Sequence, residues 1–165
     1  MLKIKFMSVD DTYEYVMDHY APYGFEAERK RTDTYAVISI QDSVGGGFGV
    51  SFTENDFCKG VLTLIFDDAV KETEGAVLFD RAMAEKIIDF IDEYKRKIDT
   101  LLIHCYAGQS RSRAVAAFAY KMLGADNKRF FENGNPNMYV YKMLEKVLFT
   151  KKIMNNKANY SNPIK

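Results

Sequence analysis

Short runs of strand-like alternation and longer stretches of helical spacing take turns along most of this chain. Residues 3–7 (KIKFM) alternate with period two and predict a short edge strand. Residues 10–20 place Tyr13, Val16, Met17 and Tyr20 at helical spacing, behind aspartates of the kind a helix N-terminus favours. Residues 21–33, with Pro22, Gly24 and the charged run ERKR, read as a connection. Residues 35–40 (YAVISI) are β-branched and aromatic, as a buried strand requires. Gly45, Gly46, Gly47 and Gly49 mark a loop, and Gly60 opens a further strand at 61–66 (VLTLIF) that ends in Asp67-Asp68. Over 80–98, Met83, Ile87, Ile91, Tyr94 and Ile98 share one face of a long amphipathic helix. Residues 100–104 (TLLIH) are strand-like again. Two more helices follow, 111–123 with Gly124 as its stop, and 138–149 through Val140, Met143, Leu144, Val147 and Leu148. The last dozen residues, rich in Asn and Lys, read as a frayed tail.

Strands interleaved with helices predict an α/β fold: a single domain over 1–150 with a 151–165 tail, built on a central mixed or parallel sheet flanked by helices. At 165 residues and 47% hydrophobic, the chain can bury a core without disulfides or a structural metal. Lys+Arg and Asp+Glu both total 23, so there is no basic excess of the kind that phosphate-led nucleic-acid binding uses. No apolar run reaches the roughly 20 residues of a membrane helix, and charges interrupt the N-terminus where a secretory signal needs an apolar stretch. These features predict a cytoplasmic monomer without nucleic-acid or membrane partners. Cys58, Cys105, His19 and His104 show no C-x2-C or H-x3-H spacing, so neither a closed zinc site nor a disulfide framework is expected. No metal and no cofactor are implied.

The densest chemistry lies at residues 104–112, His104-Cys105-Tyr106-Ala107-Gly108-Gln109-Ser110-Arg111-Ser112, between a predicted strand and a predicted helix. In α/β sheets ligands bind beyond the carboxyl ends of strands, where a loop feeds a helix N-terminus. The loop's amides and the helix's first N–H groups form a nest for an anion. Gly108 permits a tight turn where a side chain would crowd a ligand. A cysteine facing that nest is stabilised as thiolate. Arg111 offers a planar fork that matches two phosphate oxygens, and the nest also stabilises the added charge of a transition state. Ser112 can donate a hydrogen bond to the cysteine sulfur as it leaves a phosphocysteine.

H-C-x5-R-S with glycine three residues after the cysteine resembles the signature of the cysteine-dependent protein tyrosine phosphatases. The form HCYAGQSRS is similar to the dual-specificity subgroup, and the likeness is closest to small bacterial and phage members; in order of elements it spans about residues 35–149. The resemblance implies a phosphatase-like fold with a phosphate-binding loop between a strand and a helix. It further implies hydrolysis of phosphotyrosine, and of phosphoserine or phosphothreonine, in protein substrates. Cys105 is then the nucleophile. Arg111 and the loop residues Tyr106, Ala107, Gly108, Gln109 and Ser110 bind phosphate, and His104 orders the loop. The family's general acid sits on a loop after a strand, one helix before the cysteine. Asp68 matches that place, with Asp67 as runner-up. Asp68 precedes Cys105 by a longer gap than in compact members, and no Trp-Pro-Asp triplet is present. Asn135-Pro136-Asn137 resembles the family's Pro-Asn segment, which assigns Asn137 to bracing the phosphate loop. Some relatives protect the nucleophile with a disulfide, for which Cys58 is the available partner here, against an ordinary semi-buried cysteine.

Two other readings are kept beside it. A phosphate-binding module without turnover would share the loop but lack an acid within reach. Sulfur transfer also uses a cysteine on an anion-binding loop, though without this Cys-to-Arg spacing and following serine. The absence of lysine among the variable loop positions 106, 107, 109 and 110 ranks phosphoinositides low as substrates.

Overall fold

The computed structural model describes residues 2–20, 32–44 and 49–160, the last three without their side chains. The predicted loop at Gly45–Gly47, most of the 21–33 connection and residues 161–165 lie outside the described residues. Among the described residues nine elements follow in chain order: β1 (Lys3–Ser8), α1 (Val9–Tyr20), β2 (Tyr35–Gln41), β3 (Cys58–Ile65), α2 (Arg81–Tyr94), β4 (Thr100–Cys105), α3 (Arg111–Met122), α4 (Arg129–Glu132) and α5 (Met138–Tyr160).

The four strands form one sheet in the order β1-β4-β2-β3, with every pairing parallel. The central strands β2 and β4 are buried along their whole length, which explains their nearly unbroken apolar sequences. Alternate residues serve opposite faces. Ala36, Ile38, Ile40, Leu101, Ile103 and Cys105 share one core with residues of α2, α3 and α5. Tyr35, Val37, Leu102 and Cys58 form a second with Tyr20 and, partly buried, Val16, Phe52 and Phe57. Because all strands run the same way, their carboxyl ends open on one edge of the sheet.

Several boundaries differ from the pattern. Helix α2, capped by Asp80 through a 2.8 Å bond from the Met83 N–H, ends at Tyr94 rather than at 98. Ile98 is buried all the same, by the turn into β4, so an apolar residue at helical spacing extended the reading past the helix. Strand β3 starts at Cys58, and Gly60 lies inside it: a Cβ there would come within 2.4 Å of the Tyr94 ring, so the glycine seats α2 against the sheet. The short α4, which buries Phe130, carries too few residues to show a period. Helix α5 runs on to Tyr160 although its apolar stripe fades near Phe149, because backbone hydrogen bonds propagate a helix without a core beneath it.

Candidate active site

The turn from β4 into α3 rests on the neighbouring strand. Gly108 adopts φ +70°, and a Cβ there would fall 2.4 Å from Met7 C and Ser8 N at the end of β1. Both conditions demand glycine. The Val9 N–H donates to Tyr106 O at 3.2 Å, so the β1–α1 junction supports the loop from below. Tyr106, Ala107 and Gln109 are exposed along it.

Cys105 closes β4 and is 2% exposed. Its Sγ lies 3.2 Å from Ser112 Oγ, the contact that the motif predicts. Ser112 and Arg111 occupy the first turn of α3 and are both buried. Arg111 Nη1 donates to Phe66 O at 2.7 Å, beyond β3, and pairs with Asp42 Oδ1 at 2.6 Å, beyond β2. Its buried Nε has no partner among the described residues. Sequence reasoning missed Asp42. The only signal it offers is a carboxylate one residue past a buried strand.

The two aspartates after β3 part company. Asp67 accepts from the Ser43 N–H at 3.0 Å, from the Ser43 hydroxyl, and from the Val77 N–H at 2.7 Å. Partial desolvation opposes its ionisation, but the Ser43 and Val77 hydrogen bonds and the Arg111 charge outweigh it, so its pKa is lowered. Asp67 is thereby an ionised clamp between loops. Asp68 instead points to the turn from β4 into α3: its Oδ1 accepts from Ser110 Oγ at 2.8 Å and from Asn137 Nδ2 at 2.7 Å. Asn137 reaches the loop through its backbone N–H, 3.2 Å from Ser110 O, while its side chain holds Asp68 rather than the loop.

His104 is fully buried on the sheet face opposite Cys105, with its ring 5.3 Å from that of Phe52. Burial pushes its pKa down to about 4, against an opposing hydrogen bond with the Cys105 backbone. The imidazole is therefore neutral at pH 7 and touches the first residue of the loop. An unfolded chain protonates its histidine near pH 6.5, before the folded protein does, so stability present above that value falls as pH drops towards 4. The loss is about 3 kcal/mol at its full extent. Urea midpoints between pH 7 and 4 measure it, and His104→Asn should flatten that part of the profile.

A disulfide between Cys58 and Cys105 is not geometrically available. Cys58 pairs with Tyr35, which also pairs with Thr100 at the start of β4. Cys105 lies at the far end of β4, roughly 16 Å further at about 3.3 Å per residue, and on the other face of the sheet. A bridge needs Cα atoms within about 7 Å. Both cysteines are free and buried, and burial pushes the Cys58 thiol up. Among the described residues no cluster of three or more potential ligands could hold a metal ion, and no helix is long and apolar enough to cross a membrane.

No protein-family model matches the chain, and no curated protein matches it in sequence. Solved structures do match in fold. PTPMT1 in complex with PI(5)P aligns with a TM-score of 0.54 at 12% identity, over 90% of this chain and 94% of that one. A single-residue variant of human DUSP28 aligns at 0.51 and 14%, over 93% and 92%. The human tyrosine phosphatase-like serine/threonine/tyrosine-interacting protein aligns at 0.51 and 20%, over 72% and 79%. With its parallel sheet and its turn from β4 into α3, this chain therefore has the fold of the cysteine-dependent protein tyrosine phosphatases, of the dual-specificity kind.

Proposed function

We propose that the protein is a metal-independent phosphomonoester hydrolase that acts on phosphotyrosine, and on phosphoserine and phosphothreonine, in protein substrates. The substrate's phosphate lies in the nest of loop amides with Arg111 along its edge. The Cys105 thiolate attacks phosphorus in line with the ester oxygen, the P–O bond breaks, and Asp68 gives its proton to the leaving oxygen. Asp68, now a carboxylate, takes a proton from the water that attacks the phosphocysteine. The S–P bond breaks, inorganic phosphate departs, and the Ser112 hydroxyl supports the returning thiolate. His104 steadies the loop through the Cys105 backbone.

The observation that carries this reading is a convergence from two places in the chain. Cys105, Arg111 and Ser112 share one strand-to-helix turn, and Asp68, from the loop after β3, is hydrogen-bonded to that turn through Ser110. Asp67, saturated by three donors, is a poor source of a proton and leaves Asp68 as the acid.

The test is hydrolysis of para-nitrophenyl phosphate and of a phosphotyrosine peptide, in chelator and reductant, with acid-quenched protein examined by mass spectrometry for phosphate on Cys105. Asp68→Asn is expected to lower peptide turnover by about a hundredfold, the usual contribution of a general acid. A folded wild-type protein that binds phosphate without turnover or phosphocysteine would instead be a silent binding module. A soluble phosphoinositide belongs in the same assay, because one structural neighbour is recorded with PI(5)P; with no lysine in this loop, its turnover should fall well below that of the peptide.

A further inference from the structure

We infer that Ser110 and Asn137 are the positioning residues of the acid: together they hold Asp68 over the phosphate loop and assign its transferable proton to Oδ2. This rests on the hydrolase reading above and deepens it. Ser110 stands at the N-cap of α3, where a serine hydroxyl ordinarily accepts from an N–H of the first turn. Here it makes no cap bond and donates to Asp68 Oδ1 instead. Asn137, 4% exposed, divides its amide between two tasks. Its Oδ1 accepts from the N–H groups of Tyr139 at 3.0 Å and Val140 at 3.1 Å, which caps α5. That cap fixes which end of the amide is oxygen, so the end facing Asp68 is Nδ2, which donates at 2.7 Å and also reaches Ala69 O at 3.3 Å. The Asn137 N–H on Ser110 O closes the triangle.

Both donors land on one oxygen of Asp68. An oxygen accepting two hydrogen bonds is the poorer place for a carboxyl proton, so the proton resides on Oδ2, which has no partner among the described residues. When that proton passes to the leaving oxygen, the same two donors already face the carboxylate that remains. The acid is thus oriented before substrate arrives, by the loop that will hold the phosphate.

A series of aryl phosphates of rising leaving-group basicity tests this, because protonation matters more as the leaving oxygen becomes more basic. Wild type should show a shallow dependence. In Ser110→Ala and in Asn137→Ser, kcat/KM for phenyl phosphate should fall about tenfold further than for para-nitrophenyl phosphate, a fraction of a general acid's full contribution. Ser110→Thr, which keeps the hydroxyl, should restore the wild-type dependence. Asn137→Ser retains a capping oxygen for α5, and Ser110→Ala has no cap bond to lose, so both variants should fold. In an Asp68→Asn background neither change should steepen the series further. An equal loss across the series, or the same steepening without Asp68, overturns the assignment. If Asp68→Asn leaves the dependence unchanged while Cys105 still carries phosphate, the hydrolase reading stands and this inference falls. If wild type neither turns over nor forms phosphocysteine, both fall.

Discussion

Cys105→Ser is expected to reduce turnover by on the order of 10⁴-fold or more, while affinity for a phosphotyrosine peptide stays within a few-fold of wild type. A hydroxyl in place of the thiol is not ionised at neutral pH, so the loop keeps its donors but loses its nucleophile. Those donors do not depend on the sulfur: the turn is held by Gly108 against the end of β1, by the Val9 bond to Tyr106 O, and by α3 behind it. A serine hydroxyl also fits beside Ser112 Oγ, so the buried polar atom keeps a partner. Calorimetric titration with the peptide, beside the turnover assay, reads both halves. Turnover surviving in this variant would move the nucleophile elsewhere. Loss of binding together with turnover would mean that the anion is held by the sulfur rather than by the loop.

Arg111→Lys carries the second large effect, a fall in kcat/KM of about a thousandfold. The guanidinium does three things at once from a site 5% exposed: it bonds Phe66 O, pairs with Asp42, and keeps Nε open. A lysine ammonium is a single point charge on a flexible stem, and it cannot serve the Phe66 and Asp42 anchors while presenting a flat edge to phosphate. Asp42→Asn should cost far less, about tenfold, since an oxygen acceptor remains and only the charge is lost. Steady-state kinetics on the phosphotyrosine peptide compare the two. A loss of less than tenfold for Arg111→Lys would show that the phosphate does not sit along its guanidinium.

The turn from β4 into α3 was legible because its residue types stand at short, fixed spacing. Cys105, Gly108, Arg111 and Ser112 are close in sequence, and local geometry alone brings them together. The strands that bury both faces were equally plain, since β2 and β4 are buried along their whole length and mostly apolar. What escaped was set by packing. Ile98 extended the helical pattern although it belongs to a turn, Gly60 was taken as a boundary although it seats Tyr94, and α4 is too short for any period. The apolar stripe of α5 ended before its hydrogen bonding did.

Short-range spacing and burial pattern thus made legible the α/β class, the order of the strands and longer helices, and a strand-to-helix turn that begins at a cysteine. How groups distant in the chain are shared out depends on packing. It parted Asp67, a clamp for Ser43 and Val77, from Asp68, held against the loop. It brought Asp42 to Arg111, turned the side chain of Asn137 from the loop to Asp68, and set Cys58 at the opposite end of the sheet from Cys105. The physical reason is the parallel sheet: it gathers the ends of β2, β3 and β4 on one edge, where a carboxylate's role depends on which neighbours donate to it. No spacing along the chain records that.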